Sequence, residues 1–517
     1  FIFSIVYLYV NGYHEDAYIL FNYSENLAKT GVISYYPDGP PAEGATDFLW
    51  MIINSVFYWF YIPTFISVSI LNSLGSFIIS YVFVSFLSPR YCKNSLLFCS
   101  ISWLVSLGVI SSFSGFSTVF YNSVLILSLY FLYYRKTLVP YMLLILSLIR
   151  PDGVLLSFGI FLITLFWRPF NSQFYKNYFY GYLISGLIGI TYFLWRFNYF
   201  GESLPLPLYV KSNSSEMIFP GLKSNLDFLK NNYYLFMLFL FVVIKSKKEH
   251  LKKYIPILAP GIILFFSLLF AHQSQNIGFR FQYPLWISTI LFLLLVITEN
   301  PTIKRNKYFI LILCFGLILQ SFKFYRNITI SNHHYIDDFS INFLKNYDKL
   351  GNDLKVSLTE AGRFTYWTSP IKPVVKDLIG LNTKEFAKSS ITESYLKSID
   401  SDIIFIHHAG VINPKIDVET KVFKVESQNE INANIQNPST REEEVSFNTI
   451  KYLENEFNSY NIYLVDYSQD DTFYHLYALK KKAELDSIFI KSLLPSFGGK
   501  RTYFENLTIR EKYKVQK

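Results

Sequence analysis

The triplet His14-Glu15-Asp16 sets an imidazole and two adjacent carboxylates directly after an apolar run at residues 1–10. Such a run reads as a membrane span, which puts the triplet at a bilayer edge, where ionised groups are costly unless solvated or used. A carboxylate in that position can serve as general base to an acceptor hydroxyl. The plainer reading is helix chemistry, with Glu15 and Asp16 as the N-cap and first turn of a surface helix. A second set is cationic: Arg150 in Arg150-Pro151-Asp152-Gly153, Arg196 in Leu194-Trp195-Arg196, Lys211 after Leu206-Pro207-Leu208-Tyr209, and Arg280 ahead of Tyr283-Pro284. Arginine offers a planar fork to phosphate oxygens and lysine a point charge. Taken singly, each reads as an interfacial side chain reaching for water. Together they would clamp an anionic lipid headgroup beside a base.

The elements that must position these residues are membrane helices. Of 517 residues, 51% are apolar, 19% aromatic and 16% charged. Soluble domains carry about 25% charged residues, so an ordinary soluble enzyme is excluded. Apolar runs occupy 1–10, 48–86, 95–111, 118–134, 139–149, 153–167, 178–200, 232–244, 254–271, 283–298 and 308–324. With 48–86 broken near Pro63, they predict 11 or 12 spans. The first run starts at residue 1 without the charged flank of a signal sequence, so further N-terminal chain is expected. Cys92, Cys99 and Cys314 all lie in the apolar part and predict no disulfide framework.

The net charge of +9 reports topology before it reports nucleic acid, which is not expected as a partner. Lys245, Lys247, Lys248, Lys252 and Lys253 mark one inner loop, and Lys304, Arg305 and Lys307 another. Loops 201–231 and 272–282, and everything after 324, then face outwards. Loop 11–47 carries Glu15, Asp16, Glu25, Asp38, Glu43 and Asp47 against one Lys, which fits the outer side. Arg135 and Lys136 count as inside only if 48–86 crosses an odd number of times. Ala17, Leu20, Phe21, Leu27 and Ala28, with Gly31 beyond, predict a short helix on the membrane surface.

Residues 325–517 have the charge density of a water-soluble domain and read as mixed α/β. β-like runs fall at Lys355–Thr359, Ile403–Ile406, Ile462–Val465 and Thr472–Leu479, with a helix at Ser340–Leu350. No zinc spacing, phosphate-binding Gly loop, Ser/His/Asp motif or internal repeat is visible. Glu15 and Asp16 offer hard oxygen ligands, yet no third acid clusters with them, so no metal or other cofactor is expected.

Loop 15–50 resembles the first exported loop of the GT-C glycosyltransferases, in particular the cell-wall arabinan terminal arabinofuranosyltransferases. The matching residues are Glu15-Asp16-Ala17-Tyr18-Ile19, Tyr23 with Asn26-Leu27, and Glu43-Gly44-Ala45-Thr46-Asp47-Phe48-Leu49-Trp50. Further matches keep the same order: Arg150-Pro151-Asp152-Gly153, Trp195-Arg196 to Gly201, Leu204-Pro205, Tyr209-Val210-Lys211 and Arg280-Phe281 to Pro284. Thr359-Glu360-Ala361-Gly362 and Asp377-Leu378-Ile379-Gly380-Leu381-Asn382 complete the series. Glu15 stands where the family has Asp, Asn22 where it has Arg, Leu206 where it has Asn, and Gly115-Phe116-Ser117-Thr118 lacks the family's acid. These departures bear on the sugar more than on the reaction class.

The resemblance implies a polytopic α-helical GT-C membrane protein. Residues 1–324 would form the transmembrane catalytic domain, and 325–517 an exported α/β domain, in a bacterial plasma membrane. The enzyme would take a sugar, arabinofuranose foremost, from a polyprenyl-phosphate donor and pass it with inversion to a hydroxyl of a glycan, glycolipid or glycoprotein. Asp16 or Glu15 would be the base. Lys211 and Arg196, then Arg280 and Arg150, would hold the donor phosphate, with His14, Glu43, Tyr209 and His272 as further substrate contacts. A phosphate leaving group needs electrostatic stabilisation rather than a second carboxylate. The competing readings are a hexosyl or aminosugar transferase, a non-catalytic assembly factor, and a lipid-linked-sugar flippase. A transporter tends to carry repeats and ionisable residues inside spans, whereas these spans are nearly charge-free.

Overall fold

The computed structural model describes residues 13–104, 115–134, 137–166, 172–212, 219–273, 276–300, 334–347, 354–409, 422–431, 438, 440–466, 474–498 and 501–515. The expected runs at 1–10 and 308–324, the basic residues Arg135, Lys136, Lys304, Arg305 and Lys307, and Cys314 lie outside them, as do the side chains of Cys92 and Cys99.

Among the described residues the helices begin with α1 (Glu15–Thr30), then α2 (Phe48–Trp59), α3 (Thr64–Leu104), α4 (Thr118–Tyr133), α5 (Val139–Ile149), α6 (Gly153–Phe166) and α7 (Ser172–Phe200). The break expected near Pro63 falls at residues 60–63, between α2 and α3. The gap expected at 87–94 is not a break, because α3 runs through it. A dip in hydropathy reports the surrounding solvent, and the backbone hydrogen-bond ladder is indifferent to it. The helices continue with α8 (Leu206–Ser212), α9 (Leu222–Asn231), α10 (Tyr233–Lys245), α11 (Lys248–Tyr254), α12 (Ala259–Ser267) and α13 (Tyr283–Glu299).

Among the described residues, three stretches are long and apolar enough to cross a membrane: Thr64–Phe83, Tyr178–Phe200 and Lys248–Phe270. A fourth is α9 with α10, if their 73° bend at Asn232 is one broken span. Five shorter apolar helices accompany them. The 11 or 12 expected spans therefore exceed the described helices that are long enough to cross by themselves. An apolar run does not fix helix length: α5 ends after 11 residues, and the chain turns back through Arg150-Pro151-Asp152 into α6. Ser157 Oγ on α6 then bonds the Leu143 carbonyl of α5 at 3.0 Å.

Side-chain burial separates two environments. α7 buries little of its length and exposes Leu183, Leu187, Ile190, Leu194 and Phe197, an apolar surface suited to lipid rather than water. α13 is apolar all round, and Leu291 to Val296 are all buried, so it runs through the middle of the helical layer. Leu125, Leu146, Ile160 and Val296 belong to that shared core.

α1 differs from the expected surface helix. Ala17, Tyr18, Ile19, Phe21, Asn22, Tyr23, Ser24, Glu25 and Asn26 are all buried, because the helix is sandwiched between the helical layer and the C-terminal part. It stops at Gly31, whose φ of 74° suits glycine and whose amide bonds the Leu27 carbonyl at 2.9 Å.

The C-terminal part is a six-stranded mixed sheet: β1 (Lys355–Leu358), β2 (Val374–Asp377), β3 (Ile403–Ala409), β4 (Val422–Lys424), β5 (Tyr460–Val465) and β6 (Tyr474–Lys480). The order is β2-β1-β3-β6-β5-β4, parallel among β2, β1 and β3 and antiparallel thereafter. Side chains alternate in β3, with Ile403 and Phe405 in one core and Ile404 and Ile406 in the other. Both faces are covered, so Ile403–Ile406 of this central strand is apolar without a break. α14 (His334–Tyr347), α15 (Arg363–Thr368) and α19 (Ala483–Gly498) cover one face. α16 (Lys384–Ala387), α17 (Glu393–Ile399) and α18 (Arg441–Asn455) cover the other, and α20 (Tyr503–Val515) returns to α1.

Candidate active site

The His14 side chain caps α1, its Nδ1 accepting from the Asp16 amide at 3.4 Å. Glu15 and Asp16 therefore occupy the first turn rather than the cap. Neighbours on a helix point about 100° apart, so the two carboxylates leave in different directions.

Asp16 turns to the connections of the helical layer. Its Oδ2 lies 3.2 Å from Arg280 Nη2. The Arg280 guanidinium stacks 3.7 Å from the Phe116 ring centre, and its Nε is buried with no hydrogen-bond partner among the described residues. Phe281 gathers the cations: Arg280, Arg150 and Lys211 stand 5.0, 5.5 and 5.7 Å from its ring centre. Arg150 is held by both oxygens of Asp152, at 2.9 and 3.0 Å. Asp47 accepts from Ser117 Oγ and completes the cluster electrostatically. Burial, and then the charge of Arg280, hold the Lys211 ammonium below the ordinary lysine range.

Glu15 turns the other way. Its carboxylate accepts from the backbone amides of Gly362 and Arg363 and lies 3.4 Å from Arg363 Nε. Arg363 is itself held by Asp337 at 2.9 Å and the Tyr13 carbonyl at 3.1 Å. A Cβ at Gly362 would meet the Glu15 carbonyl oxygen at 2.1 Å, so the approach requires glycine. Burial and the neighbouring Glu360 push Glu15 well above the usual carboxylate range, against the pull of Arg363. Burial likewise raises Glu360 to about 7.

The remaining predicted residues divide. Arg196 is buried and donates from Nε and Nη2 to the two Glu43 carboxylate oxygens, and from Nη1 to the Glu202 and Ser203 carbonyls at 3.3 and 2.9 Å. Its partners are therefore distinct from those of Lys211, Arg280 and Arg150. The Tyr209 hydroxyl bonds Ser203 Oγ at 2.7 Å. His272 is half-buried in the connection after Phe270. Sequence reasoning misses Asp47, Asp152, Phe116 and Phe281 as parts of the cluster, although each stands in a motif quoted above or beside one. Asp377 accepts from the Ile379 and Asn382 amides, and Asn382 Oδ1 accepts from Tyr23 at 3.1 Å, which docks the second C-terminal motif on α1.

The architecture, a helical layer carrying a C-terminal sheet part, is shared with a solved structure. The crystal structure of ArnT from Cupriavidus metallidurans in the apo state resembles this chain with a TM-score of 0.54 and 9% identity, covering 78% of this chain and 90% of that one. No family model and no curated protein matches the sequence.

Proposed function

We propose that the protein is a membrane glycosyltransferase using a polyprenyl-phosphate sugar, with residues 325–517 on the outer side of a bacterial plasma membrane. The observation that carries this reading is the Asp16–Arg280 pair, with Lys211 and Arg150 around the same Phe281 ring. Asp16 is the base and Glu15 a positioning residue.

In this reaction the donor phosphate takes hydrogen bonds from Arg280 and Lys211, and Asp16 loses its counter-ion as it meets the acceptor. The acceptor oxygen attacks the anomeric carbon from the face opposite the phosphate. Its proton passes to Asp16, the carbon–oxygen bond to phosphate breaks, and the electron pair leaves on the lipid phosphate. Attack from the opposite face inverts the anomeric centre. The buried Nε–H of Arg280 supplies a donor for the growing charge.

Arabinofuranose is the first sugar to test, on the motif resemblance. A hexosyl or aminosugar donor is the second, on the departures at Asn22 and Leu206. Purified protein in lipid nanodiscs should form a glycosidic bond from one of these synthetic polyprenyl-phosphate sugars to a glycan, glycolipid or glycoprotein acceptor. Lipid movement without glycosidic product would replace this reading with a flippase.

A further inference from the structure

We propose that Glu360, His407 and His475 form a binding site for a zinc-class divalent cation in the C-terminal sheet part. One ligand atom from each lies within 4.8 Å of the other two. His407 Nδ1 stands 3.2 Å from Glu360 Oε2 and 3.1 Å from His475 Nδ1. Tetrahedral zinc with ligands at about 2.0–2.2 Å separates ligand atoms by about 3.3–3.5 Å, so these two spacings are close to those of a bound ion.

The fold builds this convergence from two strands and the loop that follows a third. His407 lies on β3 and His475 on β6, cross-strand neighbours beside the Ile406–Leu476 pair, at the irregularity between Ile406 and Ala409. Glu360 follows β1, the parallel neighbour of β3, and the His407 amide donates to Thr359 Oγ1 at 2.8 Å to set the approach. Glu360 and His475 are buried, while His407 is half-buried, which leaves a path for an ion and a water ligand. Glu360 Oε2 is buried without hydrogen-bond geometry to any described donor. Two imidazoles and one carboxylate are the donor types of three-ligand zinc sites. No spacing rule could have found the site, since its members are 47 and 68 residues apart in sequence.

Glu360 also faces the Glu15 carboxyl, and its Oε1 lies 3.9 Å from Arg363 Nε. An ion on Oε2 would hold Glu360, and with it the loop whose Gly362 and Arg363 amides grip Glu15.

The test uses the full chain in detergent, loaded with Zn2+ and dialysed, with bound metal measured by mass spectrometry. About one equivalent is expected on the wild type, and none above background on His407→Gln with His475→Gln. Co2+ titration of the wild type should give the visible absorption of a tetrahedral nitrogen–oxygen site, displaced by Zn2+, and this requires no variant to fold. Retention unchanged in a folded double variant, or no Zn2+ binding and no Co2+ spectrum in the wild type, would overturn the proposal.

Discussion

Glu25 and Arg510, 485 residues apart, meet as a buried ion pair with both carboxylate oxygens 3.1 Å from guanidinium nitrogens. Arg510 also donates to the Tyr366 carbonyl at 2.7 Å and Ser369 Oγ at 2.8 Å, and stacks on the Tyr366 ring. α20 is thereby tied to α1, across α15. Removing one partner of such a pair costs about 3–5 kcal/mol, because the other charge stays buried. Arg510→Met should lower the melting temperature of the detergent-solubilised protein markedly. An unchanged melt would show that the pair does not hold α20 in place.

Asp16→Asn should reduce transfer by about 10²–10⁴-fold with little change in donor binding, the signature of a lost base. Glu15→Gln should lower thermal stability along with activity, since Glu15 joins α1 to the Gly362 loop. Equal kinetic losses without a stability difference would remove the division of roles.

Lys211→Ala should raise the donor KM by about 10- to 100-fold, the worth of a charged hydrogen bond. Arg196→Ala should instead destabilise the fold, because it leaves Glu43 buried without its guanidinium partner. A donor-binding defect in a stable Arg196→Ala protein would return Arg196 to the phosphate site.

The depressed Lys211 ammonium predicts a pH dependence with a definite sign. Only its protonated form attracts phosphate, and it loses the proton at lower pH than an ordinary lysine. Donor affinity should fall as pH rises, beginning below the usual lysine range, and Lys211→Arg should move that fall to higher pH. Measuring donor KM across the alkaline range in both proteins checks this.

Much of the C-terminal part is legible in sequence. The runs at Lys355–Thr359, Ile403–Ile406, Ile462–Val465 and Thr472–Leu479 correspond to β1, β3, β5 and β6, whose buried faces demand apolar residues. β2 and β4 are not legible, since Val374–Asp377 and Val422–Lys424 are short edge strands that each carry a lysine. The surface position expected for α1 fails for a different reason. Periodicity detects one apolar face, but the polar face of α1 is buried too, with Glu25 meeting Arg510.

The sequence by itself determined the solvent and the candidates. Its apolar runs call for a bilayer, and its acids and cations fall in the connections between them. Only the tertiary structure decided which charge faces which. Asp16 meets Arg280 and Glu15 meets Gly362 and Arg363, because adjacent positions in a helical turn diverge and their partners lie on segments 264 and 347–348 residues away. Local spacing carries no information about such partners; the packing of α1 between two layers does.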